Sequence, residues 1–243
     1  MSSADRTTTS DNPVTVFLVD DHPPIRKAVR SSLEATAGMD VCGEARTAAS
    51  AARRIEETGP DVAVVELSLP RGHGLDLVKR IQAQAQTVDV LVFSVYDEAV
   101  FAGRAIQAGA SGYLMKTEPT GRLVEAIRTI DDGEVALSDA LSSRLLNQLV
   151  RNRAPESHSA FDALTDRELE VFQMLGEGKS LDDVGDDLHL SRKTVETYRR
   201  RAKEKLGFDT VSDLLRYAVW WTHGKGANSA ALGEAPVSVG PPS

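Results

Sequence analysis

Residues 61–70 read "DVAVVELSLP": an unbroken β-branched run closing on Glu66, then a short loop with Pro70. A strand without polar alternation must be covered on both faces, which is the habit of parallel sheets. Similar runs stand at "VTVFLV" (14–19), "DVCGEA" (40–45), "DVLVFSV" (89–95) and "GYLM" (112–115). Between them lie amphipathic stretches, "PIRKAVRSSLEAT", "ASAARRIEETG", "GLDLVKRIQAQ" and "EAVFAGRAIQAG", and "PTGRLVEAIRTIDD" follows the last run. Strands alternating with helices predict a small α/β domain, a doubly wound five-stranded parallel sheet.

In such a sheet, ligand chemistry sits beyond the carboxyl ends of the strands. Those ends carry Asp20 and Asp21, Glu66, Ser94 and Lys116. Clustered carboxylates suit a hard divalent cation such as Mg²⁺. A hydroxyl and an ammonium beside them can hold the oxygens of a phosphoryl group. Contact with water explains any one polar strand end; five such residues on four ends read as a site.

The second half of the chain has no strand signal. "LTDRELEVFQMLGEG" opens with Thr165 and Glu168, a capping-box pair. "SLDDVGDDL" predicts a short helix from Ser180, and "SRKTVETYRRRAKEKLG" one capped by Ser191 and closed by Gly207. "TVSDLLRYAVWW" supplies a fourth. The second and third are separated only by "HL", a helix-turn-helix signature. Residues 191–206 carry seven cations and two glutamates, net +5, in a chain of net charge −8. A solvated face is the ordinary meaning of such a run, but a tight turn after a capped helix favours a phosphate grip.

Composition sets the bounds. At 243 residues, 41% hydrophobic and 26% charged, the chain is an ordinary globular protein of one or two domains. Its acidity excludes a general polyanion binder, so any nucleic-acid site is local. The single Cys42 excludes an internal disulfide framework. The opening "MSSADRTTTSDNP" lacks an apolar core for a signal peptide, and the stretch around "VLVFSVY" is too short to span a bilayer. A cytoplasmic location and no membrane contact are expected. Residues 1–12 and 223–243 read as disordered tails, and 136–160 as a linker helix ("SDALSSRLLNQLV", 138–150) and a polar linker. No internal repeat is found.

"FLVDDHPPIRKAVRSSLE", "PDVAVVELSLPRGHGLDLVKRI" and "RAIQAGASGYLMK" together resemble the receiver domain of NarL/FixJ-type response regulators, over 13–135. The resemblance implies strand order 2-1-3-4-5 and an acid pair, here Asp20 and Asp21, that helps hold Mg²⁺. It places the phosphoacceptor aspartate at position 66, the switch at Ser94 and Tyr113, and a phosphate-contacting lysine at Lys116. Here the acceptor is Glu66. The extra methylene shifts the carboxylate by roughly 1–1.5 Å, and about 1 Å of misplacement costs on the order of 10²-fold in rate. Glu66 is therefore expected to be a poor nucleophile and a partial mimic of the phosphorylated state, reaching Ser94 or Lys116. Arg71 and His73 depart from the family pattern too and suggest relaxed demands on the loop. Mg²⁺ would take Asp20, Asp21 and Glu66 as a vestigial site; no cofactor is required.

Segment 161–222 resembles the LuxR-type DNA-binding domain, an all-α four-helix unit, through "LTDRELEVFQMLGEGKS" and "LSRKTVETYRRRAKEKLG". By that resemblance Glu196, Thr197 and Arg200 face bases, while Lys193, Thr194, Arg199 and Lys203 contact phosphates. Val195, Tyr198 and Leu206 are core by helical spacing. Asp182 and Asp183 suit the start of a helix; Asp186 and Asp187 would oppose phosphate if they face DNA. The last helix, with Leu214, Leu215, Ala218, Trp220 and Trp221, is the candidate homodimer face, with the receiver's first helix as another. His22, Cys42 and Met115 read as packing or surface residues.

The chain thus reads as a non-enzymatic, atypical response regulator that binds double-stranded DNA as a homodimer and regulates transcription independently of phosphorylation. Two alternatives stay open. One is a phosphorylatable regulator still switched by a sensor kinase; the other is a receiver-based interaction module with impaired DNA binding.

Overall fold

In the computed structural model, which describes residues 12–70, 72–143 and 160–224, valine-rich runs become the centre of a sheet. The chain divides into two compact units, Met1–Arg151 and Asn152–Ser243. The first contains β1 (Val14–Val19), α1 (Pro23–Glu34), β2 (Met39–Ala45), α2 (Ala48–Thr58) and β3 (Val62–Val65). It continues with β4 (Ser68–Leu69), β5 (Gly72–His73), α3 (Gly74–Gln84), β6 (Asp89–Ser94), α4 (Glu98–Gln107), β7 (Gly112–Met115) and α5 (Thr120–Asp131).

The sheet is parallel, in the order β2-β1-β3-β6-β7. Counting its five strands alone, that is the 2-1-3-4-5 order implied by the receiver resemblance. All four residues of β3 are buried, as a strand covered on both faces requires. On one face Val16, Leu18, Val62, Val64, Leu91 and Phe93 pack with Val29 and Leu33 of α1 and Leu123, Ile127 and Ile130 of α5. Truncating a residue such as Leu33, fully buried, would cost about 2–5 kcal/mol.

Register positions the strand ends. Val19 pairs with Val65, and Val65 with Val92, so Asp20, Glu66 and Ser94 emerge along one edge. Ser94 pairs with Met115, and the Lys116 N–H donates to the Ser94 carbonyl at 2.8 Å. After β3 the chain folds back tightly, the Gly74 N–H donating to the Leu67 carbonyl at 2.8 Å. A Cβ at Gly74 would lie 2.4 Å from the Glu66 carbonyl oxygen, so only glycine permits this closure.

The loop after Glu66 is not plain coil. It holds the antiparallel pair β4–β5, too short to leave any periodicity in sequence. His73 does not signal relaxation there. It is buried, and its Nδ1 accepts the Leu75 N–H at 3.1 Å as the N-cap of α3. Arg71 lies outside the described residues. A helix begins at 139 as the linker pattern predicts, but 144–159 lie outside them, as do 1–11 and 225–243 of the expected tails.

The second unit opens with a 3₁₀ turn, Ala160–Ala163, followed by α6 (Asp166–Gly176), α7 (Leu181–Leu188), α8 (Arg192–Lys205) and α9 (Val211–Gly224). Thr165 and Glu168 form their capping box, and Ser180 and Asp183 form a second one. Between α7 and α8, His189 takes a left-handed conformation, φ 53°, and the Leu190 N–H donates to the Gly185 carbonyl at 2.7 Å. A Cβ at Gly185 would sit 2.8 Å from the Leu190 carbonyl oxygen, so the small residue lets the turn close onto α7. Val171, Met174, Leu175, Val184, Leu188 and Val195 form the core, with Tyr198 packed against it.

The last helix divides the residues named for the dimer face. Leu214 and Ala218 are fully buried within the unit, and the Trp221 ring lies 4.7 Å from Phe161 and 5.6 Å from Phe172. Leu214 and Ala218 belong to the unit's own core, against which the half-buried Trp221 packs, while Leu215 and Trp220 stay partly exposed. The Trp220 ring stacks on Tyr217 at 5.6 Å, and Val219 is exposed.

Candidate functional site

At the strand ends, Glu66 is almost wholly buried, 2% exposed, yet its carboxylate is saturated. Oε1 accepts from the Ser94 hydroxyl at 2.6 Å, the Leu67 N–H at 2.7 Å and the Ser68 N–H at 3.1 Å. Oε2 pairs with the Lys116 ammonium. Lys116 also bridges to Asp20 Oδ2, while Asp20 Oδ1 accepts the His22 N–H at 2.7 Å. Burial pulls the Lys116 pKa down, but the charges of Glu66 and Asp20 outweigh it and hold the ammonium above its ordinary value. The two carboxylates are what keep this buried ammonium charged.

Ser94 and Tyr113 sit on the same side of the site. The Ser94 Oγ that donates to Glu66 also receives the Tyr96 N–H at 3.3 Å, and the buried Tyr113 hydroxyl donates to the Tyr96 carbonyl at 2.8 Å. Burial, then the Glu66 charge, push the Tyr113 phenol well above its ordinary pKa, so it acts only as a neutral donor. Asp20, Glu66, Ser94 and Lys116 are thus one hydrogen-bonded cluster, with Tyr113 tied in through Tyr96.

Asp21 lies apart from that cluster. Its Oδ1 is buried without a hydrogen-bond partner and lies 2.8 Å from His22 Nδ1. Asp20, Asp21 and His22 offer ligand atoms within 4.8 Å of one another. Two carboxylates, one of them with an orphaned buried oxygen, fit a hard cation that keeps part of its water. Glu66 lies outside that set; its two oxygens are engaged, and so are those of Asp20, so a cation here would displace the Lys116 or His22 contact. Sequence reading set His22 aside, whereas its Nδ1 lies 3.4 Å from Asp20 and 2.8 Å from Asp21, a placement that no spacing in the sequence signals.

The helix-turn-helix unit presents its basic helix differently. The buried Val195 and Ala202, with Tyr198 and Leu206, turn to the core. Lys193, Glu196, Thr197 and Arg200 follow the i, i+3, i+4, i+7 spacing of the opposite face. Thr194, Arg199 and Lys203 flank that row. Lys205 is not available to a ligand, since it pairs with the buried Glu168 of the α6 capping box at 2.6 Å. Arg192 meets Asp182 at 2.5 Å and Glu196 at 3.4 Å; Arg200 meets Glu204 at 2.9 Å. Among the described residues, Lys193, Arg199 and Arg201 have no carboxylate partner, and the Arg199 Nε is buried without an acceptor.

An acid pocket on a five-stranded parallel sheet followed by a helix-turn-helix unit defines the class: a receiver joined to a DNA-reading domain. Residues 16–128 match the response regulator receiver domain, and residues 162–218 match the bacterial regulatory proteins of the luxR family. The chain belongs to the NarL/FixJ-type response regulators with a LuxR-type DNA-binding domain. It is similar to the response regulator UvrY of Escherichia coli K12, 31% identical over 207 residues, covering 85% of this chain and 94% of that one. It also resembles the DNA-binding transcriptional activator DevR/DosR of Mycobacterium tuberculosis, 34% identical, covering 81% and 89%. Among solved structures, promoter-bound RcsB of Salmonella enterica serovar Typhimurium shares the fold, with a TM-score of 0.57 at 22% identity over 86% of this chain and 99% of that one. No helix of the described residues is long and apolar enough to cross a membrane.

Proposed function

We propose that this response regulator is a sequence-specific transcription regulator that works without phosphorylation, Glu66 standing where the family carries its phosphoacceptor aspartate. The observation that carries this reading is the saturation of the Glu66 carboxylate by a hydroxyl, two main-chain N–H groups and an ammonium. These are the donors a phosphoryl group on a shorter side chain would gather. A carboxylate already held by all of them is neither free nor correctly placed to attack a phosphodonor. Asp20 and Asp21 would hold Mg²⁺, which supplies charge neutralisation to phosphoryl transfer; nothing in this reading needs it.

The DNA-binding roles follow from α8. Glu196, Thr197 and Arg200 lie on the row aimed at base edges, where Arg200 suits guanine and Glu196 a cytosine amino group. Lys193, Thr194, Arg199 and Lys203 grip phosphates beside it. The likeness to DevR/DosR, a DNA-binding activator, supports this side of the reading. Two copies on paired half-sites, working in the cytoplasm, complete it. A sensor kinase is the partner class a receiver implies, but on this reading its phosphate is not required.

The test has two arms on the untreated protein. Intact mass is measured after incubation with acetyl phosphate and Mg²⁺, and no added phosphoryl group is expected. Selection from random duplexes is expected to enrich paired half-sites; a mass gain, or no enrichment, would count against the proposal.

A further inference from the structure

We infer that Asp182 restrains DNA binding by occupying Arg192, the first residue of the recognition helix; this inference rests on the DNA-binding reading above. α7 is unusually acidic, with Asp182, Asp183, Asp186 and Asp187 in eight residues. Asp183 is explained by its capping box, where its Oδ2 accepts the Ser180 N–H at 3.0 Å and the Ser180 hydroxyl at 2.7 Å. Asp187 pairs with Lys179 at 2.9 Å. Asp182 crosses to another helix and meets the Arg192 guanidinium at 2.5 Å, with both side chains more than half exposed.

The helix dipole accounts for an acid at this place on α7. It does not account for the arginine that opens α8, which is held by Asp182 on one side and by Glu196, at 3.4 Å, on the other. The start of a recognition helix is the part that enters the groove between two phosphate walls. A phosphate that reaches Arg192 there must displace a carboxylate of the same charge. Each cation set against phosphate releases counterions and adds about 0.9 to the logarithmic salt slope of binding. Asp182 thereby removes about one such contact at every sequence, lowers backbone affinity and leaves a larger share of binding to base reading. Glu196 lies on α8 itself, in the row assigned to base edges, so Asp182 is the half of the clamp that a substitution removes without touching that row.

The experiment uses the full chain and a fluorescent mixed-sequence duplex, titrated from 50 to 200 mM salt. Asp182→Asn should bind the duplex more tightly and steepen the salt slope by about 0.9. Its advantage over the unaltered chain should therefore shrink about 3.5-fold across that range. In an Arg192→Gln background the same substitution should leave the slope unchanged. An unchanged slope for Asp182→Asn, or an equal steepening in both backgrounds, overturns the clamp, the latter by revealing a general charge effect. Asp182→Ala, which removes the same carboxylate without an amide, must repeat the result. If the unaltered chain shows no salt-dependent binding to any duplex, the DNA-binding reading fails, and the clamp fails with it.

Discussion

Shortening Glu66 by one methylene tests the central claim most directly. In Glu66→Asp the carboxylate retreats roughly 1–1.5 Å toward the strand. The Ser94 hydroxyl, now 2.6 Å away, would fall outside hydrogen-bond range unless the backbone followed, and the Lys116 contact would stretch likewise. Losing a hydrogen bond to a buried charged group costs about 1.5–3 kcal/mol, so the unfolding free energy from urea titration should fall by about that amount. The freed oxygen would gain a path to a phosphodonor, with Asp20 beside it across Lys116. A correction of about 1 Å in position is worth on the order of 10²-fold in rate. The assay is intact mass over time with acetyl phosphate, with and without Mg²⁺. Glu66→Asp should gain one phosphoryl group only when Mg²⁺ is present, while the unaltered chain gains none. If the variant stays folded and unmodified, side-chain length is not what disables the site, and the reasoning from geometry is refuted.

Other expectations follow from the same contacts. Lys116→Met would leave Asp20 and Glu66, 6% and 2% exposed, without their ammonium and should cost about 3–5 kcal/mol in urea unfolding. Because the folded Lys116 pKa is raised above 10.5, its stabilising contribution is complete below that pH and lost as pH rises through the folded value. The unaltered receiver should therefore weaken in alkali more steeply than Lys116→Met does. At Glu168 burial pushes the carboxyl up, but Lys205 and the Thr165 N–H outweigh it and hold the pKa below its ordinary 4.5. That contribution is present above pH 4.5 and lost as pH falls through the folded value, so Glu168→Gln should flatten the acid unfolding of the helix-turn-helix unit followed by tryptophan fluorescence. In duplex titrations Lys193→Ala should reduce the salt slope by about 0.9 at all sequences. Arg200→Ala should instead lose about 1–3 kcal/mol of discrimination at one base pair of a selected site.

What could be read in advance depended on whether the signal was local. The strands were legible because β-branched runs with no polar alternation have few other uses, and with the strands came the edge holding Asp20, Glu66, Ser94 and Lys116. Caps at Thr165, Ser180 and Ser191 were legible for the same reason, since each fixes its own helix start. The pair Ser68–Leu69 with Gly72–His73 was not, because two-residue strands show no alternation. His73 was misjudged since an imidazole is an uncommon N-cap, and only its buried position shows the role. Trp221 marks a third kind of limit. Helical spacing reveals an apolar face but not what covers it, and here Phe161 and Phe172 of the same unit do. Saturation of Glu66 was likewise hidden, because two of its donors are main-chain groups whose direction depends on the closure at Gly74.

On the proposed reading, the difference between Glu66 and a phosphorylated aspartate lies in charge and lifetime more than in contacts. A phosphoryl group brings about −1.5 to −2 charge and three acceptor oxygens, and a carboxylate brings −1 and two. The larger charge beside Asp20 and Asp21 would call for a divalent cation. The smaller one is met within the chain by the Lys116 ammonium, which Glu66 shares with Asp20. A phosphoaspartate is made by a donor and removed by hydrolysis, so its signal decays; the Glu66 carboxylate is bonded through carbon and cannot leave. On the proposed reading the receiver therefore has no timed off-step, and its state is set when the chain folds. Control must then act through the amount of protein, or through a partner or ligand that competes with Glu66 for Ser94 and Lys116. A competitor of the second kind must supply at least two acceptor oxygens at a site 2% exposed, a cost that makes control through protein amount the simpler arrangement.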